Sequence, residues 1–330
     1  MMKTILFLSK SFDSPSTRYR ALALFPALYD AGYKASHITL NKRGIHNYAY
    51  ALCAAKSSDV VVVLRKTFPS FYLKALRFAS KFLIFDFDDA IFVKSNGQES
   101  KSRTRRFRHI VGVSDQVVCG NDFLVQHAGQ FNTRTLLIPT AIDHTKYPIA
   151  RINRLTDDAR IFLVWIGSTS TSKYLLGILA VIREVQKKFP NVWLRNISDF
   201  HISEAGLRVE NISWNQSSEV HYLSSSHIGI APQPDDMWTR GKCALKVIQY
   251  MAARLPVVSS ASGANIRVVV DGDTGFLVRS ETEWIKRVVE LVREEKLRIK
   301  MGDAGYERYR ISYSLQQTSK DWITLLDNHK

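Results

Sequence analysis

From Gly241 to Val258 the chain reads G-K-C-A-L-K-V-I-Q-Y-M-A-A-R-L-P-V-V. The apolar run through Tyr250, Met251 and Ala252 predicts a helix that ends near Arg254, because Pro256 cannot continue it. Val257 and Val258 then open a β-branched run of the buried-strand kind. Helix followed at once by buried strand is the repeating unit of an α/β sheet. Lys242 and Lys246 stand four residues apart where the loop should give way to the helix. On a helix that spacing puts both ammonium groups on one face. A helix start also offers unpaired N–H groups and the positive end of the peptide dipoles, so the pair suits a phosphate or diphosphate. The plainer reading is a solvated lysine face.

The same unit recurs along the chain. Thr4 to Leu8, Ala35 to Thr39, Val60 to Leu64, Phe82 to Phe87, Gln116 to Cys119 and Thr135 to Ile138 read as strands of a first series. A second series follows with Ile161 to Ile166, Val192 to Ile197, His227 to Ala231, Val257 to Ser259 and Phe276 to Val278. Helices are expected over Ser172 to Phe189, Glu283 to Met301 and Tyr306 to Leu326. Strands alternating with helices predict doubly wound parallel sheets. The polar, aperiodic stretch from Pro148 to Arg160 reads as a linker.

The 330 residues suit two domains of ordinary size. At 45% hydrophobic and 23% charged, the composition is globular. No window approaches 18 consecutive apolar residues, so no transmembrane helix is expected. Ile5 to Leu8 is too short for a signal-peptide core, and the three cysteines (Cys53, Cys119, Cys243) show neither metal spacing nor a disulfide framework. These points favour a cytoplasmic setting. The net charge of +16 asks for an anionic partner. Lys101, Arg103, Arg105, Arg106 and Arg108 crowd one segment, and Pro69 to Phe82 mixes Phe71, Tyr72, Leu76 and Phe78 with Lys74, Arg77 and Lys81. A basic segment beside an aromatic helix suits an anionic membrane surface, peripheral on the inner face of the cell membrane. The alternative is aromatic core under solvated charge. No nucleic-acid motif is present, so nucleic acid is not expected as a partner.

In open α/β sheets ligands sit beyond the carboxyl ends of the strands, so the loops there are the candidates. Gly167-Ser168-Thr169-Ser170-Thr171-Ser172-Lys173 is small and hydroxyl-rich, able to wrap a phosphate or simply to cap a helix. Ser14-Pro15-Ser16-Thr17-Arg18-Tyr19-Arg20 follows the first strand, and its two guanidinium forks match phosphate oxygens. Asp86-Phe87-Asp88-Asp89 places three acids at a strand end, which demands cationic or hydroxyl partners.

The segment K-V-I-Q-Y-M-A-A-R-L-P-V-V resembles the donor helix of family 4 glycosyltransferases, which read roughly K-x-x-E-Y-M-A-x-G-x-P-V-V. The resemblance runs over most of the chain and is strongest from Gly229 onward. It implies a GT-B fold: two Rossmann-like doubly wound domains facing a cleft, over 1–150 (acceptor) and 151–305 (donor). A helix over 306–330 would cross back, anchored by Trp322. It implies a retaining, metal-independent enzyme that moves a hexose from a nucleotide-diphosphate sugar, its co-substrate, to a hydroxyl of a lipid-linked or growing cell-surface glycan, with no further cofactor.

By that resemblance Lys173, Lys242 and Lys246 stabilise the diphosphate, and Gly167, Ser168 and Thr169 bind the donor. Relatives often carry G-R-x-x-x-x-K at the Gly167 loop. Here Ser168 replaces the arginine, with Arg240 and Lys242 as stand-ins. Relatives also carry two glutamates where this chain has Gly241 and Gln249. Gln249 can still meet a ribose, while Gly241 has only its backbone N–H, with Asp235 and Asp236 nearby. Asp88 and Asp89 fall near the position of a sugar-facing histidine and are assigned to sugar hydroxyls or to the charge developing at the anomeric carbon. Arg18 and Arg20 are assigned to acceptor diphosphate. Two rivals remain: a metal-dependent transferase using Asp86 and Asp88 in the Asp-x-Asp pattern of GT-A enzymes, and a non-catalytic GT-B-like binding module.

Overall fold

The computed structural model describes residues 2–41, 45–94, 96–147 and 160–329. The expected linker falls almost wholly on 148–159 and so lies outside the described residues. The chain divides into two compact units. The first comprises Met1–Ala141, Asp236–Cys243 and Leu315–Lys330; the second comprises Ile142–Asp235 and Ala244–Ser314. The boundaries expected at 150 and 305 therefore fall at 141 and 314, and a short piece of the second series belongs to the first unit.

The first unit holds a six-stranded sheet of β1 (Lys3–Ser9), β2 (Tyr33–Thr39), β3 (Val60–Leu64), β4 (Phe82–Phe87), β5 (Gln116–Cys119) and β6 (Thr135–Leu137). The spatial order is β2-β1-β3-β4-β5-β6, with every pairing parallel. Alternate residues go to opposite faces, as strand geometry requires. Leu6, Leu8, Val61, Val63, Phe85 and Phe87 enter one core cluster, while Ile5, Phe7, Val60, Val62 and Ile84 enter another. Both faces of the sheet are thus covered, which is why these strands read as unbroken apolar runs. The second cluster is completed by the Leu315–Asp327 helix, whose Trp322 is 1% exposed and lies 6.4 Å from the Phe7 ring.

The second unit repeats the design with β7 (Ile161–Ile166), β8 (Val192–Ser198), β9 (Val209–Ser213), β10 (Ile228–Ala231), β11 (Val257–Ser260) and β12 (Gly275–Val278). Its order is β12-β11-β10-β7-β8-β9, again all parallel. Each sheet reverses its winding once, between β1 and β3 in the first and between β7 and β10 in the second. Those switch points are where such sheets open a crevice for ligand.

Several helices differ from expectation. The Ser14–Arg20 stretch is not a loop: Pro15–Arg20 is helical, with the Ser14 hydroxyl capping it and Pro15 at its start. The helix expected over 172–189 is broken into Ser172–Leu176 and Leu179–Lys188. The one expected from 283 to 301 is two, Glu281–Arg293 and Glu295–Ser312. Strand β9 was not foreseen, because V-E-N-I-S is a half-exposed edge strand with no apolar run. The lysine-bearing helix is Leu245–Ala252, and Ala244 before it holds a left-handed φ of 52°.

Candidate functional site

In the second unit the chemistry gathers at the carboxyl end of β7. Gly167 is glycine for a spatial reason: a Cβ there would lie 2.2 Å from the Trp165 ring. The same fully buried indole carries Lys246 on its other approach, with the ammonium 4.4 Å from the ring centroid. Tyr250, one turn further along the Leu245–Ala252 helix, accepts from the Ile166 N–H at 3.1 Å and donates to the Ile230 carbonyl at 3.1 Å. Trp165 and Tyr250 therefore tie the end of β7 to the start of the lysine helix, beside the switch point. Next to Gly167, Ser168 and Thr171 cap each other's backbone around the Thr169–Thr171 turn. Thr169 is already engaged, because its N–H and hydroxyl both donate to Asp199 Oδ1, at 2.7 and 3.1 Å. Lys173 is exposed, with its ammonium 5.2 Å from the Tyr174 ring.

Gln249 faces inward, with 5% exposure. Its amide nitrogen donates to Glu219 Oε1 at 2.6 Å, and the Trp214 indole N–H donates to Glu219 Oε2 at 2.7 Å. That amide nitrogen is engaged by Glu219 in this structure. Glu219, from a separate helix, is the carboxylate at this place, and sequence spacing gave no sign of it.

In the first unit the three acids at the end of β4 each find the partners their charge requires. Asp86 is fully buried and gripped by Arg20, whose Nε lies 3.1 and 3.0 Å from the two carboxylate oxygens and whose Nη2 lies 2.5 Å from Oδ1. Arg20 also donates to Thr140 Oγ1 at 3.1 Å and to the Ile138 carbonyl at 3.0 Å. Burial pushes the Asp86 carboxyl up to about 6, against the lowering pull of Arg20. Burial opposes the Arg20 charge too, but Asp86 outweighs it and the guanidinium holds its proton more tightly than usual. Arg20 is 2% exposed, so the acceptor role expected for it is corrected: its fork is an internal brace. Asp86 is engaged in that brace through both oxygens. Among the described residues no three His, Cys, Asp or Glu side chains are grouped to hold a metal.

Asp88 accepts from the Ser16 hydroxyl at 3.0 Å through both oxygens. Asp89 pairs with Arg65 and with Lys242, the latter at 3.1 Å. Arg65 stands at the end of β3, beside the switch point, with a left-handed φ of 50°. Its N–H donates to the Asp86 carbonyl at 2.7 Å and its Nη1 to Ser16 Oγ at 2.9 Å. Burial works against its charge, but Asp88 and Asp89 outweigh burial and raise its proton affinity. A non-glycine residue held at positive φ is uncommon, and Arg65 shares the conformation with Ala244 and Arg254. Sequence reading missed Arg65 because nothing in R-K-T-F-P announces it. Arg18 lies half-buried on the same short helix as Ser16, its guanidinium 5.5 Å from the Tyr19 ring.

The Asp236–Cys243 segment packs within this unit and overturns part of the opening expectation. Lys242 precedes the helix instead of lying on it, so it shares no helical face with Lys246. Its ammonium goes to Asp89 and lies 3.6 Å from the Trp238 ring centroid. Asp236 caps the Met237–Arg240 helix, accepting from the Trp238 and Thr239 N–H groups at 2.9 and 2.8 Å. Gly241 closes that helix by donating its N–H to the Thr239 carbonyl. A Cβ on Gly241 would meet Ala90 Cβ at 2.4 Å and Ala90 N at 2.6 Å. Asn121 Nδ2 donates to the carbonyls of Arg240 and Lys242 at 3.1 and 2.8 Å, and the Cys243 thiol donates to the Asp88 carbonyl at 3.1 Å. Arg240 itself is exposed.

Residues 160–294 match the family model described as "Glycosyl transferases group 1". Among curated proteins the chain is 30% identical over 84 residues to trehalose synthase of Pyrococcus horikoshii, covering 26% of this chain and 20% of that protein. It is 22% identical over 186 residues to a probable sucrose-phosphate synthase of Thermosipho melanesiensis, covering 56% of this chain and 42% of that one. The chain thus spans less than half the length of these curated relatives. In fold it is similar to Anabaena HepE, solved in complex with UDP and glucose, with a TM-score of 0.76 at 14% identity over 99% of this chain and 100% of that one. Both six-stranded parallel units are accounted for by that match, and the fold is GT-B.

Proposed function

We propose, for a GT-B chain whose residues 160–294 match the model of the group 1 glycosyl transferases, that the protein transfers a hexose from a nucleotide-diphosphate sugar to an acceptor hydroxyl. One observation carries the reading: Gly167 and Lys246 meet on the Trp165 indole beside the β7–β10 switch point. That convergence brings close backbone approach, small hydroxyl residues and a cation to one place, which is what an anionic diphosphate needs. Gly167, Ser168, Thr169, Lys173 and Lys246 are assigned to the donor, with Thr169 exchanging its Asp199 partner for ligand. Gln249 acts with Glu219. Asp88 and Asp89, held by Ser16, Arg65 and Lys242, are assigned to hydroxyl recognition, and Arg18 to the acceptor. Lys242 is thereby a positioning residue for Asp89.

No side chain among these is placed as a committed nucleophile, which favours front-face transfer. The bond from the anomeric carbon to the diphosphate oxygen breaks as the acceptor oxygen bonds on the same face. The acceptor proton passes to the departing phosphate oxygen, and configuration is retained. The protein supplies charge stabilisation, orientation and water exclusion, and no metal is assigned a role. A lipid-linked or growing cell-surface glycan, met at the cytoplasmic face of the membrane, is the proposed acceptor. No helix among the described residues is long and apolar enough to cross a membrane.

Thermal shift with UDP, GDP, ADP and their sugar conjugates, with and without magnesium, tests the donor. A ligand at a hundredfold excess over its dissociation constant stabilises by about 2.7 kcal/mol. The expected result is a magnesium-independent shift with one base, UDP first given the HepE complex. No shift with any nucleotide refutes the donor assignment. A shift without sugar transfer or donor hydrolysis supports the non-catalytic module.

A further inference from the structure

The Ser70–Ala79 helix is apolar on two sides. Tyr72, Leu73 and Leu76 enter the core of the first unit. The opposite stripe, at the i, i+3, i+4, i+7 spacing of one helical face, is Phe71, Lys74, Ala75 and Phe78, and all four are exposed. Phe71 is 76% and Phe78 95% exposed. Leaving two phenylalanines in water forgoes the transfer free energy that drives apolar side chains inside. A surface helix covered only by its own core has no need of them.

The neighbours of this helix are basic. The Tyr72 hydroxyl donates to the Tyr48 carbonyl at 3.0 Å, which ties it to the Ile45–Ser57 helix, where Tyr50 is 64% exposed. Ser70 Oγ lies 3.2 Å from His109 Nδ1, which ties it to the Lys101–Val113 helix. None of the three helices contains an aspartate or glutamate. Among the described residues, carboxylates pair with the patch at its end, Asp115 with Arg77 and Asp59 with Lys81, and exposed Glu99 lies just ahead of the Lys101–Val113 helix. Lys101, Arg105 and Arg106 are exposed on their helix and pair with no carboxylate among the described residues. Arg103 is turned to the Val93 carbonyl and Arg108 to the Phe131 ring.

We propose that this three-helix face of the first unit seats the protein on an anionic lipid membrane, with Phe71 and Phe78 entering the interface and Lys101, Arg105 and Arg106 meeting the headgroups. Charge complementarity commits the face to an anionic partner, and the two phenylalanines decide which one. They carry no polar handle and stand apart on one exposed stripe, the kind of side chain that buries into a headgroup–acyl boundary. A nucleic acid would engage the basic helix without needing Phe78.

The surface is tested by co-sedimentation of the full chain with vesicles of phosphatidylcholine alone and of phosphatidylcholine with phosphatidylglycerol in equal parts. Binding is expected only to the anionic vesicles. Each basic side chain near such a surface contributes about fivefold. Replacing Lys101, Arg105 and Arg106 together by Gln should therefore lower partitioning by about a hundredfold. Replacing Phe71 and Phe78 by Ser should lower it at least tenfold. Both variants should keep the thermal midpoint and nucleotide response of the parent protein, so that failure of the donor assignment is seen separately. Lack of binding to anionic vesicles, binding indifferent to the phenylalanine change, or displacement from vesicles by an oligonucleotide that the protein holds more tightly would each overturn the proposal.

Discussion

Replacing Gly241 by Ala should destabilise the first unit by about 3 kcal/mol. The methyl would lie 2.4 Å from Ala90 Cβ and, more tellingly, 2.6 Å from Ala90 N. The second contact is with backbone, so no rotamer change relieves it, and the Asp236–Cys243 segment must lift away. Overpacking of this kind costs about 1–3 kcal/mol. The lift also strains the two bonds from Asn121 to the Arg240 and Lys242 carbonyls, at about 1 kcal/mol each. It pulls Lys242 from Asp89 as well. Urea unfolding followed through Trp238 and Trp322 reads the loss. Gly241→Glu sharpens the test, because relatives often carry a glutamate here. If glutamate were merely missing from this chain, restoring it would raise donor affinity and leave stability unchanged. The packing against Ala90 predicts the reverse, with Glu at least as damaging as Ala. A Gly241→Glu protein as stable as the parent would refute the reasoning.

Asp86→Asn leaves the Arg20 guanidinium buried without its counter-charge and should cost about 3–5 kcal/mol, measured by the same urea titration. Lys246→Ala removes a half-buried cation resting on Trp165. It should weaken binding of the stabilising nucleotide by roughly tenfold or more, the worth of one charge-assisted contact, while the unliganded thermal midpoint moves little. Asp59 is held down to about 2 by the Thr4 N–H, with Lys81 and the Thr4 hydroxyl adding to it. A depressed carboxyl stabilises the fold above its unfolded value and loses that contribution as pH falls through its folded value. Asp59→Asn should therefore be less stable than the parent at neutral pH, with the gap closing between about pH 4 and 2.

The sheets were legible because their strands are buried on both faces. V-V-V-V-L over Val60–Leu64 and I-F-L-V-W-I over Ile161–Ile166 need no partner to be recognised as buried strands. The edge strand Val209–Ser213 carried no such signal. The acids at the end of β4 were legible as a demand for partners, and the partners were not. Ser16, Arg65 and Lys242 come from three distant places in the chain. Lys242 was misplaced for a definite reason: the four-residue spacing presumes helical phase, and the left-handed Ala244 breaks that phase. Glu219 and Asp199 were likewise invisible, since the partners that matter, Gln249 and Thr169, each lie 30 residues away in the chain.

The segmented composition of the first unit constrains how the chain is built. Its backbone passes between units at four points, after residues 141, 235, 243 and 314. On a ribosome the first sheet emerges before the second, yet the pocket that Trp322 fills stays open until the Leu315–Asp327 helix has been made. Unit one therefore closes only after the second unit has been translated, although its sheet precedes that of the second unit along the chain. Until then Phe7 lacks the Trp322 part of its cover, and an apolar face left open in a nascent chain is a target for chaperones and for aggregation. The Asp236–Cys243 piece arrives in between, and Lys242 with it. The acidic end of β4 thus waits through much of translation for its lysine, so the assembled cluster is a late product of synthesis.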